Sequence, residues 1–208
     1  MKKIFLIFIL IFLSVSSTAY SNNDKPEIIL KNSIDKIINL IKNPKYKDDS
    51  KKNIQRKEIW SVVQNIFDFT EMSKRALGKN CRKLKDNEIN EFSDLFAKFL
   101  ANIYYSKFDQ YSKDSELDKY SAESVKYIET TIPQANKAIV KTLLVTGTNE
   151  IPMDYSMLNN NGWRIYDVNI EGVSLVRNYR TQFNSLISKK GFKGLIEMIK
   201  NKLGKFGD

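Results

Sequence analysis

Apolar side chains recur at three- and four-residue intervals along the first half of the chain, a spacing that places them on one face of a helix. The first such stretch begins at Pro26, a residue suited to a first helical turn, and ends at Asn43-Pro44. Its apolar positions are Leu30, Ile34, Ile37, Ile38 and Ile41. A second stretch follows the charged segment 45–52, with Ile59, Val62, Val63, Ile66 and Phe67. The pattern predicts two amphipathic helices.

A short helix and then a long one are predicted next. Asp68 and Glu71 have the spacing of a capping box, and Gly78 is well placed to end the short helix. From Asp86 a broad, Phe-rich apolar face predicts a helix of roughly five turns or more. That face carries Phe92, Leu95, Phe96, Phe99, Leu100 and Ile103, with Tyr104 and Tyr105 at its far end.

The apolar period changes from 3.6 to two near Val125, which indicates strands. A β-rich run covers 138–146, a clear apolar–polar alternation covers 151–157, and a last strand covers 163–170. Short glycine-containing turns join these runs, so neighbouring strands should pair antiparallel. In the last strand the apolar set switches parity at Tyr166, which predicts either a bulge or cover on both faces.

The helical period returns after Gly172, and a final short helix is predicted from Phe192. Helices, then an antiparallel sheet, then helices are typical of an α+β domain with one sheet face covered. We find no internal repeat and no low-complexity segment, so residues 20–208 are expected to form a single domain.

The first nineteen residues have the pattern of a signal peptide. Lys2 and Lys3 precede an apolar run, Ile4 to Leu13, and the small residues Ser17-Thr18-Ala19 follow it. The run is about half the ~20 residues that a membrane-spanning helix needs. We therefore expect cleavage near Ala19 and export of the remaining chain.

The composition excludes several kinds of active site. The chain has no histidine and a single cysteine, Cys81, so neither histidine-based catalysis nor a cysteine metal cluster is available. Carboxylate catalysis stays open at Asp154, Asp167 and Glu171, although such residues at strand ends also cap helices or pair with Arg177 or Arg180.

The net charge of +10 fits two explanations. It suits an acidic partner, either an anionic lipid surface or a negatively charged protein, but a Lys-rich composition without a dense basic block also accounts for it. Nucleic acid is not expected as the partner of an exported protein.

Aromatic residues are abundant, with twelve Phe and ten Tyr. Most must form ordinary core. A Phe-rich helix facing a sheet could also enclose an apolar cavity that holds a lipid or another hydrophobic molecule.

Two segments are more specific than composition. The first, 67–78, reads FDFTEMSKRALG and resembles the F-D-x-x-x-M-x-x-x-x-L-G segment of the MlaC family of phospholipid-binding ABC-transporter auxiliary proteins, also called toluene-tolerance proteins. The second, 163–183, reads WRIYDVNIEGVSLVRNYRTQF and resembles the W-x-x-Y-D-V-x-I-E-G-V-S-L-x-x-N-Y-R-x-x-F signature of the same family. The chain departs from the family pattern at Asn80 and at Cys81. Relatives usually carry an aromatic residue at the position of Cys81.

The resemblance implies a periplasmic phospholipid carrier without enzymatic activity. Its partners would be an outer-membrane lipoprotein complex and the MCE-domain protein of an inner-membrane ABC transporter, its cargo a phospholipid, and its role the maintenance of outer-membrane lipid asymmetry. No cofactor, metal or nucleic acid is implied, and we expect a monomer. The implied fold is a small, mostly antiparallel sheet covered by several helices around an apolar pocket, loosely similar to nuclear-transport-factor-like domains.

We expect the pocket walls among the apolar residues of the long helix, the sheet and the following helix, and about half of these candidates to be plain core. The candidates are Phe92, Phe96, Leu100, Tyr104, Leu143, Val145, Met153, Tyr155, Tyr166, Val168, Val173, Val176 and Phe183. Asp167, Glu171, Asn178 and Arg180 are interpreted as a polar network between strand and helix. The alternatives are an exported enzyme on a similar fold, with an Asp base and a Tyr donor, and an adaptor that binds only envelope proteins.

Overall fold

The computed structural model describes residues 25–113, 124–146 and 149–204. The predicted signal peptide, 1–19, and the turn at 147–148 lie outside these ranges. The described helices are α1 (Pro26–Lys42), α2 (Lys52–Ile66), α3 (Phe69–Leu77), α4 (Asp86–Lys113) and α5 (Leu175–Gly204), with 3₁₀ segments at Pro44–Tyr46, Asp49–Lys51 and Gly78–Lys83. Among the described residues, no helix is both long enough and apolar enough to cross a membrane.

The sheet is a five-stranded antiparallel meander in which each strand pairs with the next along the chain. Its strands are β1 (Val125–Gln134), β2 (Lys137–Thr146), β3 (Asn149–Asn159), β4 (Trp163–Ile170) and β5 (Val173–Ser174). Helices precede and follow this sheet in sequence, so the predicted α+β class and the antiparallel pairing are confirmed.

Strand β4 contains a bulge, one of the two outcomes that its parity switch predicted. Ser156 pairs with Asp167 and Met157 pairs with Ile165, which leaves Tyr166 as the extra residue of β4. Because one residue is inserted, Ile165 and Val168 share a sheet face although three positions separate them. The bulge also turns the Tyr166 side chain toward the helices, where it packs against their core.

The ends of α3 follow the predicted capping chemistry. The Asp68 carboxylate accepts a hydrogen bond from the Glu71 amide at 2.9 Å, which satisfies one free donor of the first turn. Gly78 ends the helix with φ +56°, a conformation that favours glycine. The helical run α5 is likewise interrupted at Gly191, with φ +68°, where the sequence predicts a break before the final helix.

Two clusters of buried side chains hold the fold together. One lies among α3, α4 and α5 and is rich in aromatic rings: Phe92 and Phe183 meet edge to face, with ring centroids 5.6 Å apart. The other joins the inner face of the sheet to α1 and the end of α2, through Leu30, Ile66 and Val140 among others. The candidate site lies where these two clusters meet.

Candidate functional site

An apolar cavity of about 350 Å³ lies between α1, α2, the far part of α4 and the inner face of the sheet. This volume falls within the ~300–1,000 Å³ typical of small-molecule sites. Its walls are aliphatic and aromatic apart from a few hydroxyl and indole groups. They are Leu30, Ser33, Ile34, Ile37, Ile41, Ile59, Trp60, Val63, Ile66, Phe67, Phe69, Met72, Leu100, Ala101, Tyr104, Met153, Tyr155, Ile165, Val168, Ile170 and Leu175.

Helix α1 forms one wall because its apolar stripe faces the cavity along most of its length. Ser33 and Ile37 on this stripe both line the space. The buried Gln55 of α2 holds the end of α1 in place, donating from Nε2 to the carbonyl oxygens of Leu40 at 2.8 Å and Ile41 at 3.2 Å. These bonds satisfy carbonyls that the last turn of a helix leaves free.

The sheet forms the opposite wall through alternate residues. Tyr155 pairs with Val168, and Met153 pairs with Ile170, so these four side chains share one face. The bulge at Tyr166 keeps Ile165 on that face as well. All of these except Tyr166 line the cavity.

Helix α4 contributes only its far part. Leu100, Ala101 and Tyr104 line the cavity, with Tyr104 at 46% exposure. Phe92 and Phe96, two and one turns earlier, are fully buried among the rings of α5 instead. Leu100 belongs to both environments, because it lines the cavity and is also a buried member of the helical cluster.

Few groups in the cavity lining could stabilise a charge. Burial raises the pKa of Tyr155 to about 12, and partial burial also raises the pKa of Tyr104. The Tyr155 hydroxyl faces the Met153 sulfur at 3.9 Å, a weak acceptor. Both phenols therefore stay neutral over the physiological range, and the lining suits an uncharged, apolar occupant.

The candidate wall residues fall into three groups. Leu100, Tyr104, Met153, Tyr155 and Val168 line the cavity. Phe92, Phe96, Val176, Phe183 and Tyr166 belong instead to the helical cluster or pack against it.

The remaining candidates are outside both the cavity and that cluster. Leu143 and Val145 pair with Pro152 and Glu150, one position out of phase with the cavity-facing residues, so they lie on the outer sheet face. Val173 is 61% exposed.

The sequence pattern does not single out the cavity walls from α1 and α2. Their apolar stripes are visible in the sequence at Ile34, Ile37 and Trp60, but a stripe that covers core and a stripe that borders a space have the same period. A clue was available in α1, where Ser33 interrupts an otherwise apolar face.

The carboxylates needed by the enzyme alternative lie away from the cavity. Asp154 pairs with Asn169 and Lys141 on the outer sheet face. Asp167 caps α5, accepting from the Ser174 hydroxyl at 2.6 Å and the Val176 amide at 3.0 Å. No carboxylate is found among the described residues that line the cavity, and the described part of the chain has no cluster of acidic, Cys or His side chains able to hold a metal ion.

The polar-network interpretation holds in part. Asp167 connects β4 to α5 as expected, and Arg180 connects α5 to α3 by donating from Nε to the Arg75 carbonyl at 2.6 Å. Asn178 accepts from Gln182 on its own helix, and Glu171 takes a left-handed φ of 50° in the turn after β4.

Comparison with known proteins identifies the family. The sequence model of the MlaC protein family matches residues 31–201, well over half of the chain. The chain belongs to the MlaC family. Its fold is similar to that of a phospholipid-binding protein from Ralstonia solanacearum solved in complex with a phospholipid, with TM-score 0.70, 20% identity, and coverage of 88% of this chain and 99% of that one. Among curated proteins, none matches the sequence.

The two MlaC segments contact each other in this chain. The Asp68 amide donates to the Ile165 carbonyl at 2.8 Å, and the Arg164 guanidinium donates to the Phe67 carbonyl at 2.6 Å. Phe67 and Ile165 also form an isolated parallel bridge. The MlaC signature therefore fixes the α2–α3 junction against the β4 bulge at one end of the cavity.

Proposed function

We propose that this protein is a periplasmic phospholipid carrier that holds acyl chain in the cavity between α1, α2 and the sheet. The observation that carries the proposal is the cavity itself, whose described walls are apolar and free of carboxylates. Membership of the MlaC family and a fold shared with a phospholipid-bound protein support it.

The energetics of apolar burial favour a carrier that never releases cargo into water. Each buried methylene contributes about 0.8 kcal/mol, so a lipid with ~30 methylenes represents on the order of 25 kcal/mol relative to water. Free dissociation would therefore be negligible. The free energy of transfer from one apolar environment directly to another is close to zero. The carrier must therefore exchange its lipid while docked on a donor or an acceptor.

We propose that the donor and acceptor are an outer-membrane lipoprotein complex and an inner-membrane ABC transporter with an MCE-domain protein. The export signal expected at 1–19 supports this location, because a shuttle between two membranes must leave the cytoplasm. The sequence contains no nucleotide-binding motif. We propose that a net direction comes from the transporter's ATPase or from the relative affinities of donor, carrier and acceptor.

A carrier role is favoured over catalysis by the position of Asp154. An Asp base and a Tyr donor would have to meet in the cavity, whereas Asp154 and Tyr155 point to opposite sheet faces because they are successive strand residues. Asp154→Asn should therefore leave lipid loading unchanged.

The two tryptophans allow a direct test of where the lipid lies. Trp60 lines the cavity, and Trp163 is buried beside it in the sheet cluster. Single-tryptophan variants, Trp163→Phe and Trp60→Phe, would be loaded with a phospholipid brominated on its acyl chain. We expect stronger quenching of Trp60 than of Trp163, since bromine quenches at short range. Equal, weak quenching of both would contradict acyl-chain binding in this cavity.

A further inference from the structure

Six exposed cationic side chains lie along the contact between α3, the 3₁₀ segment Gly78–Lys83 and the first part of α5. We call this surface the basic ridge. It consists of Lys74, Lys79, Arg82, Lys83, Arg177 and Arg180.

Three contacts bring the two segments of the ridge together although about a hundred residues separate them. The Asn80 amide donates to the Asn184 side-chain oxygen at 2.6 Å. The Arg180 Nε donates to the Arg75 carbonyl at 2.6 Å, and its methylenes lie under Gly78. Four of the six cations already lie close together in the sequence, between Lys74 and Lys83, and the fold adds Arg177 and Arg180 to them.

The ridge is not neutralised by nearby carboxylates. Neither 72–85 nor 172–196 contains Asp or Glu. Glu71, at the edge, is engaged by Arg75 at 2.7 Å. Within the part of the chain that the structure describes, none of the six ridge cations forms an ion pair. Clustered like charges repel, so the surface is most stable beside external anions.

We propose that the basic ridge docks reversibly on an anionic membrane surface through lipid phosphate groups. Arg180 is held in place by its backbone contact, and a positioned guanidinium suits phosphate oxygens. The surrounding lysines supply the diffuse attraction that juxtamembrane basic clusters show toward anionic leaflets.

A membrane fits this surface better than an acidic protein because the ridge has few apolar anchors. Stable protein interfaces rely on buried aromatic or aliphatic residues at their centre. Of the most exposed large apolar side chains among the described residues, Ile54, Tyr104, Ile128 and Ile132 lie on other elements, and Val173 alone is near the ridge.

The ridge can be altered without touching the cavity, since none of its six residues is a cavity wall. The test uses co-sedimentation of residues 20–208, the chain expected after cleavage of the signal peptide, with vesicles of phosphatidylcholine alone or mixed with phosphatidylglycerol. We expect binding only to the anionic vesicles, weakening when ionic strength is raised from about 50 to about 300 mM.

The decisive comparison is between two triple variants that remove the same charge. Lys79→Gln/Arg82→Gln/Lys83→Gln should lower the partition onto anionic vesicles about tenfold or more, given the contribution of each basic residue at such a surface. Lys42→Gln/Lys47→Gln/Lys57→Gln, exposed positions from α1 to α2, should change it little.

Three results would overturn the proposal: no binding of the unmodified chain to anionic vesicles, equal losses in the two triple variants, or binding to an acidic envelope protein in place of vesicles. Lipid occupancy measured on the same samples separates this question from the carrier function. A ridge variant that still contains lipid but no longer binds anionic vesicles would support a docking role for the ridge that is separate from lipid binding.

Discussion

The guanidinium carbon of Arg75 lies 4.0 Å from the centroid of the Tyr166 ring, so helix α3 contacts the bulged residue of β4 directly. Arg75 also pairs with Glu71 at 2.7 Å. The contact joins the two MlaC segments and helps to hold the bulge that keeps Ile165 and Val168 on the cavity side.

The pair should be energetically coupled. In a double-mutant cycle with Arg75→Ala and Tyr166→Leu, we expect a coupling free energy of about 0.5–1 kcal/mol, the range of partly exposed cation–π contacts. Urea unfolding of the four proteins measures it. Lys74→Ala, at the exposed neighbouring position, serves as the control, and its effect on stability should add to that of Tyr166→Leu. If the effects of Arg75→Ala and Tyr166→Leu were also additive, the contact would contribute nothing to stability.

Filling the cavity should displace lipid, whereas the same change on the outer sheet face should not. Val168 faces the cavity and Val145 lies on the other face. We expect Val168→Trp to lower the phospholipid extracted per mole of protein several-fold and Val145→Trp to leave it near the unmodified level. Circular dichroism verifies folding, and Leu100→Phe offers a milder filling change. Full loading of both filled variants would remove this cavity as the lipid site.

Alkaline pH should destabilise the protein partly through Tyr155. Burial raises its pKa to about 12, above the value of about 10 in an unfolded chain. The unfolded state therefore loses this proton first, and the stabilisation, complete below pH about 10, is lost as pH rises toward 12. Tyr155→Phe should flatten the fall of unfolding free energy in that window.

Tyr179 provides the matched comparison for this titration. Burial, with a smaller effect of the nearby Tyr104, raises its pKa to about 12, and it packs against the helical cluster rather than lining the cavity. Both Tyr→Phe variants should reduce the fall of unfolding free energy at alkaline pH. Only for Tyr155→Phe should the difference from the unmodified protein grow when lipid fills the cavity, because Tyr155 lines the cavity and Tyr179 does not. If Tyr155→Phe left the pH dependence of the unfolding free energy unchanged, the burial of the Tyr155 hydroxyl would be contradicted.

Gly78 should tolerate substitution less well than Gly172. Both have positive φ, but an added Cβ at Gly78 would lie 3.3 Å from the Arg180 Cδ, while at Gly172 nothing lies within 4 Å. We expect Gly172→Ala to cost about 1–3 kcal/mol from backbone strain alone, and Gly78→Ala to cost more because the close contact with Arg180 adds to the same strain. Thermal or urea unfolding measures both; equal losses would argue against close packing of Arg180 under Gly78.

Local elements were predictable where chemistry within a few residues determines them. Proline at the start of α1, the Asp68 cap, Gly78 after α3 and the bulge near Tyr166 all follow from nearby residues. The MlaC resemblance added the fold as a whole, which periodicity could only narrow to an α+β class.

The cavity was less predictable because the choice between core and wall depends on packing between distant elements. Phe96 and Leu100 share one helical face, yet the first packs on α5 and the second lines the cavity. Leu143 looks equivalent to Met153 in the sequence, but the register places them on opposite sheet faces.

Native mass spectrometry of protein purified without detergent shows directly whether the cavity carries phospholipid. We expect a bound mass equal to one or more diacyl phospholipids, released as phospholipid on activation and strongly reduced in Val168→Trp. A uniformly empty protein, folded and without added mass, would contradict phospholipid binding in this cavity.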